Sequence, residues 1–173
     1  MRNNRLTILA INPGTRYIGI AVLKGTVLLD WSVKVVSGKL SPAKRRKIVR
    51  LVDRLIQEYE PNILALKKLH SSRSSRTLDR LNREIEGIAA ANDVKLEKHS
   101  IQEIEQFFMP EERINKMGLA ELLCQKHPVL RHELHKEHNN LNPYHIRMFE
   151  AVALGTMVEA KTKRMADCTL MAS

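Results

Sequence analysis

Apolar positions along the chain follow two periods. Leu6 to Ile11 is an almost unbroken aliphatic run that stops at Asn12-Pro13-Gly14, and a short run bounded by such a turn predicts a buried strand. Tyr17 to Leu23 predicts a second strand, and Lys24-Gly25 turns it into a third, Thr26 to Val36. Turns this short make the three an antiparallel meander. The period then changes. Ser41-Pro42 sets a capping serine before a proline at the first helical position, and Ile48, Val52, Leu55, Ile56 and Tyr59 recur at helical spacing up to Pro61. Asn62 to Leu69 predicts a buried strand running into Lys67-Lys68. A polar loop, Ser71-Ser72-Arg73-Ser74-Ser75, leads to a helix with Leu78, Leu81, Ile85 and Ile88 on one face.

Val94 to His99 predicts a further short strand, and Ser100 with Glu103 forms a capping-box pattern for the next helix. Asn115 to Gln125 predicts another helix, and Pro128 to His138 a polar one. Asn142-Pro143 caps a last long helix carrying Phe149, Val152, Leu154 and Met157. No internal repeat appears, and periodicity is lost after Lys163. The chain divides into one domain over 1–163 and a C-terminal tail over 164–173. Three strands followed by helix, strand, helix, strand and helices predict an α/β fold around one mixed sheet.

At 173 residues the chain can bury one core, and with aromatics at only 4% that core is aliphatic. Few rings are left for stacking on bases. The formal net charge of +10 favours a polyanionic partner without choosing among nucleic acid, acidic protein and an anionic membrane surface. Cys124 and Cys168 have no CxxC spacing, which fits a reduced cytosolic compartment. The basic start Met1-Arg2-Asn3-Asn4-Arg5 precedes an apolar run too short to span a membrane and poorly shaped for a signal peptide, so a cytoplasmic protein is expected.

The decapeptide Ala10-Ile11-Asn12-Pro13-Gly14-Thr15-Arg16-Tyr17-Ile18-Gly19 ends a strand in a tight turn and opens the next on a second glycine. It is similar to the opening of the RuvC-like Holliday-junction resolvases of the RNase H-like superfamily. In that family the strand ends in Asp-Pro-Gly. The resemblance extends over roughly Leu6 to Ala160. Strand Ile63 to Lys67 looks like the family strand that ends in its second carboxylate, helix Lys116 to Cys124 like the one opening with a lysine, and the last helix like the one carrying the final acidic pair. The resemblance implies a five-stranded mixed sheet, an antiparallel meander plus parallel strands, flanked by helices. It also implies a homodimer that binds four-way DNA junctions.

Family chemistry, as the resemblance implies it, is phosphodiester hydrolysis by two Mg²⁺ ions held in four carboxylates, since Mg²⁺ takes hard oxygen ligands. Here the pattern is degenerate: Asn12 stands for the first acid, Lys67 for the second and Arg147 for the third, with His145 as the alternative at the third. Only Glu150 remains acidic. Lysine and arginine cannot ligate Mg²⁺ and repel it. Two readings follow. Lys67 or Arg147 pairs with Glu150 in a pocket that has drifted, or the cations hold a phosphate that metals would otherwise hold. Both predict no two-metal nuclease, no metal and no cofactor; Mg²⁺ enters only if cleavage survives.

Arg76, Arg80 and Arg83 line one face of a helix, with Lys68, His70 and Arg73 just before them. The family's aromatic wedge position falls near His70. A phosphate-binding stripe and a solvated face neutralised by Asp79, Glu84 and Glu86 both fit. Lys44-Arg45-Arg46-Lys47 puts positive charge at a helix start against the helix dipole; it is a phosphate site or a solvated patch. Lys116 joins these as a candidate DNA contact through the resemblance. His132, His135 and His138 are spaced by three within the polar helix, with His127 before them; such a cluster invites a transition metal, but it lacks an HExxH pattern and reads as a solvated polar helix. Ser100, Cys124 and Cys168 have no base arranged for nucleophilic catalysis.

The leading expectation is a RuvC-like protein that binds branched or duplex DNA without cutting it. The enzyme alternative is a structure-specific endonuclease using Glu150 and Asn12 with acids such as Asp30 or Glu86. A third is a scaffold or adaptor contacting protein or RNA.

Overall fold

The computed structural model describes residues 5–139 and 145–171. The Asn142-Pro143 cap and the first four residues of the basic start lie outside the described residues, as does the Arg73 side chain. Five strands, β1 (Thr7–Asn12), β2 (Tyr17–Lys24), β3 (Val27–Val35), β4 (Ile63–Lys67) and β5 (Lys95–His99), form one sheet in the order β3-β2-β1-β4-β5. β1 and β2, and β2 and β3, pair antiparallel, while β4 is parallel to β1 and β5 to β4. This is the mixed five-stranded sheet expected above.

β1 lies at the centre, buried along its whole length. That explains why its sequence is a continuous apolar run rather than an alternation. Ile8 and Ala10 point to one layer, Leu9 and Ile11 to the other. The second layer is built by α1 (Pro42–Tyr59) and α2 (Arg76–Ala91), through Ile48, Val52, Leu55, Leu78, Leu81 and Ile85. The first layer is built by α3 (Ile101–Phe108), α4 (Lys116–Lys126) and α6 (Ile146–Met171), with Ile104, Leu119, Leu123, Phe149, Val152 and Met157 inside. α5 (Arg131–His138) packs beside α4.

Local signals in the sequence act as their chemistry requires. Ser41 accepts a hydrogen bond from Lys44 N, Ser75 from Leu78 N and Asn115 from Gly118 N, each capping a helix start. Ser100 and Glu103 make the full reciprocal capping box. The Glu103 carboxylate, accepting from the Ser100 backbone N–H, is pushed down to about 2.

Three expectations change. The segment Pro128–His138 is a 3-10 turn over Pro128–Leu130 followed by α5, because proline and the short spacing to Leu130 close the first turn tightly. That helix is also not wholly solvated. Glu137 is buried and accepts hydrogen bonds from the His145 backbone N–H at 3.1 Å and pairs with its ring Nδ1 at 3.2 Å, tying α5 to the start of α6. Finally, α6 continues to Met171, into the stretch set apart as a tail. Residues 163–169 are exposed, so they carry no apolar stripe, yet Lys, Arg, Met and Ala are good helix formers. No helix among the described residues is long and apolar enough to cross a membrane.

Candidate functional site

The site lies where open α/β sheets bind ligands, outside the carboxyl ends of the parallel strands. β1 ends in Asn12 and its parallel neighbour β4 ends in Lys67, with Ile11 and Leu66 in register just before them. The two side chains therefore leave the sheet side by side. α6 crosses these strand ends, and Arg147 and Glu150, one turn apart, face them. What permits the crossing is Gly19. A Cβ there would sit 1.8 Å from the Arg147 carbonyl oxygen, so any larger residue would drive α6 off the sheet. The element that approaches this second glycine of the decapeptide is therefore α6. Gly14 does similar work at the turn, where a Cβ would stand 2.5 Å from the Tyr17 carbonyl oxygen and 3.4 Å from the Arg147 guanidinium carbon.

Asn12, Lys67, Arg147 and Glu150 thus line one cavity of about 640 Å³, together with Lys68, His70, Glu105 and Lys116. Glu150 is its hub. Lys67 Nζ makes a close ion pair with Glu150 Oε2, and Asn12 Nδ2 donates to the same oxygen at 2.6 Å. Lys116 Nζ stands 3.4 Å from Oε1, an ion pair without an aligned hydrogen bond. Asn12 Nδ2 also donates to the Arg147 carbonyl at 3.2 Å, so the amide meets two acceptors and presents its nitrogen to both. The Glu150 side chain is 2% exposed and that of Lys67 13%.

Three cations around one buried carboxylate settle its charge. Burial raises the Glu150 pKa, but Lys67 outweighs this through charge and hydrogen bond, with Lys116 and Arg147 adding to it, and the group is held below the usual carboxylate range. Lys67 is lowered by its burial, which outweighs the attraction of Glu150, and Arg147 and Lys116 repel its proton further. Positive charge is in excess. A pair of Mg²⁺ ions does not fit this donor set: an ammonium occupies the carboxylate oxygen that would ligate, and the amide offers its N–H₂ side. Among the described residues no three His, Cys, Asp or Glu side chains group as a metal-holding set.

Sequence reasoning missed Glu105. It comes from α3 and lines the cavity, its pKa raised by burial and by the charge of Glu150. The capping box at Ser100 marks where α3 starts; nothing in the sequence says which of its faces meets the cavity. The acids named for a surviving nuclease lie elsewhere. Asp30, on β3, accepts from the Tyr59 hydroxyl at 3.3 Å, and Glu86 accepts from Lys98 Nζ at 2.8 Å.

Lys68 and Leu69 connect the cavity to a shallower groove lined by Arg76, Arg80, Arg83, Asn82 and Lys98. The stripe is not simply neutralised by its own helix. Asp79 accepts from Ser74 Oγ at 2.6 Å, Glu84 is taken by Arg45 at 2.9 Å and Glu86 by Lys98, leaving Arg80 3.7 Å from Glu84. Arg76 and Arg83 are exposed, with no acidic partner among the described residues. The other basic run divides. Arg45 is buried and binds Glu84 across the α1–α2 seam, which removes it from the candidate DNA contacts: its guanidinium joins two helices. Lys44 is half-buried, Arg46 and Lys47 are exposed, and none of the three lines the cavity or the groove.

No family model matches the sequence, and no curated protein does. Solved structures do match the fold. The Thermus thermophilus RuvC in complex with a Holliday junction substrate superposes with a TM-score of 0.64 at 16% identity, over 92% of this chain and 96% of that one. The yeast mitochondrial Holliday junction resolvase Ydc2 gives 0.65 at 11% identity, over 98% and 85%. The Fowlpox virus resolvase bound to Holliday junction DNA gives 0.58 at 12%, over 91% and 99%. The chain has the RuvC-like, RNase H-like fold across nearly its full length.

Proposed function

We propose that this RuvC-like chain binds duplex or branched DNA and does not cleave it. The observation that carries the reading is the ion pair of Lys67 with Glu150 at the joined ends of β4 and α6. It replaces a metal-binding acid with a fixed cation and occupies the one remaining acid of the family pattern. Phosphate is then met by protein charge: Arg147 and Lys116 in the cavity, Lys68 at its rim, and Arg76, Arg80, Arg83 and Lys98 along the groove. Two of the fold's neighbours are seen on Holliday junctions, which supports a junction as the DNA form to test first. A second copy of the chain, as in the dimer expected by resemblance, would add a second such track. Two unpaired cysteines suit a reducing, cytosolic setting.

Fluorescence anisotropy with a four-way junction, duplex DNA and RNA, across a salt series, tests binding. Tightest binding to the junction with a steep salt dependence is expected, and absence of binding at low salt sinks the reading. Incubation of the junction with Mg²⁺ or Mn²⁺ tests cleavage. Glu105 beside Glu150 is the one observation that favours a cutting enzyme. Nicking that requires a divalent ion and vanishes in Glu150→Ala would establish that alternative.

A further inference from the structure

Lys67 differs from a solvated lysine and from a lysine sealed in a core. Its side chain is only 13% exposed, yet it lines a cavity of about 640 Å³. Lys116 and Arg147 line the same cavity and repel its charge. Burial and neighbouring cations both favour the neutral amine, and a neutral amine is a nucleophile. The proton has a place to go, because Lys67 Nζ is hydrogen-bonded to Glu150 Oε2. Glu105 lines the cavity as well, its carboxyl raised by burial and by the charge of Glu150, which suits it to take and return protons. Arg45, which only fastens α1 to α2, lines neither the cavity nor the groove.

An amine nucleophile needs an electrophilic carbon, and the cations around this one select for a carbon close to phosphate. Intact DNA holds no aldehyde or ketone. A DNA sugar that has lost its base does, since its C1′ opens to an aldehyde between two phosphates. A cavity of this volume takes a ligand of sugar-phosphate size, with Lys68, Lys116 and Arg147 placed along it for the phosphates.

We propose that Lys67 forms an imine with the C1′ aldehyde of an abasic DNA site and breaks the strand there by β-elimination, with Glu150 and Glu105 carrying the protons. Lys67 Nζ gives one proton to Glu150 and attacks C1′, forming the C–N bond as the carbonyl electrons move to oxygen. A proton passes from nitrogen to that oxygen, Glu150 returns its own, and water leaves to give the protonated imine. Glu105 then takes a C2′ proton, and the C3′–O bond breaks with its electrons leaving on the phosphate. Water hydrolyses the imine, releasing the unsaturated aldehyde and the amine. Nothing is oxidised or reduced and no metal takes part. The proposal rests on the DNA reading for its substrate. It is elimination at a damaged sugar, not phosphodiester hydrolysis, so an intact junction stays whole.

Sodium borohydride added to the full chain with a duplex carrying one abasic site provides the test, because hydride reduces the imine to a stable amine. A covalent protein–DNA adduct is expected, and peptide mass mapping should place it on Lys67 rather than on half-exposed Lys68 or Lys116. Without borohydride, the duplex should be nicked at the abasic site in the presence of EDTA. Lys67→Arg keeps a cation on Glu150 but removes the amine, and should cut the adduct about tenfold or more with an unchanged circular dichroism spectrum. A second probe, 2-deoxyribose 5-phosphate, offers the aldehyde and phosphate without a duplex. A duplex that is bound, by fluorescence anisotropy, but gives no adduct overturns the proposal and leaves the DNA reading intact. An adduct spread over the exposed lysines, or undiminished in Lys67→Arg, overturns it too. A duplex left unbound, with the sugar phosphate still reduced onto Lys67, sinks the DNA reading and supports the imine; no adduct with either probe overturns it.

Discussion

The cavity at the strand ends and the seam between α1 and α2 are each held by a buried cation on a glutamate, and they differ in what surrounds the pair. At the seam Arg45 meets Glu84, whose side chain is 32% exposed and can also take water. In the cavity Lys67 meets Glu150, which is 2% exposed and has two further cations nearby. The seam pair is a fastening, with exposed Arg80 3.7 Å from the same glutamate, and water can partly repair its loss. The cavity pair is the centre of an electrostatic excess that faces open space. Basic residues that look alike in sequence therefore divide into those that join helices and those available to a polyanion.

The largest effect expected from breaking this contrast is in Lys67→Ala. It leaves Glu150 buried with its main partner gone, and should cost about 3–5 kcal/mol by denaturant unfolding. Lys67→Met combined with Glu150→Leu removes both charges and should return stability close to that of the unmodified chain, while weakening DNA binding. If the single and double variants are equally unstable, packing rather than charge holds the cavity.

The same pair sets the acid limb. Because the folded Glu150 pKa is lowered, its stabilisation is complete above the unfolded carboxyl value of about 4.3 and is lost as pH falls through the lower folded value. In Lys67→Met the burial of Glu150 is no longer outweighed by its main partner, so this part of the acid limb should flatten, and the variant's stability deficit, followed by circular dichroism, should shrink as pH falls and Glu150 protonates. Arg45→Ala should cost less, about 1–2 kcal/mol, since Glu84 can be hydrated. A cost equal to that of Lys67→Ala would erase the distinction between the two regions. The smallest effects separate cations by use rather than by stability. Arg83→Ala should lower the slope of log affinity against log salt by about one, and Lys47→Ala should leave it unchanged. Equal slopes in both variants would remove the groove from the binding surface.

Much of the fold was legible in residue order. Unbroken apolar runs marked β1 and β4 because both are buried on two faces, and Ser41-Pro42, Ser100/Glu103 and Asn115 marked helix starts because each satisfies backbone groups a few residues away. Asn12 was placed at a strand end because Pro13-Gly14 terminates the strand locally; for Lys67 periodicity ran the strand on to Leu69, and the resemblance ended it at Lys67. The helical continuation of α6 past Lys163 was not legible, since without a core to face it carries no stripe.

The sequence by itself determined the periods, the caps and the turn that ends β1 at Asn12, all of which are properties of neighbours along the chain. Only the tertiary structure decided that Arg45 serves Glu84 rather than a phosphate, that Gly19 makes room for α6, and that Glu105 shares a cavity with Glu150. These depend on helix rotation and on approach across the sheet. Such distances arise from packing between residues far apart in the chain, which no local pattern encodes.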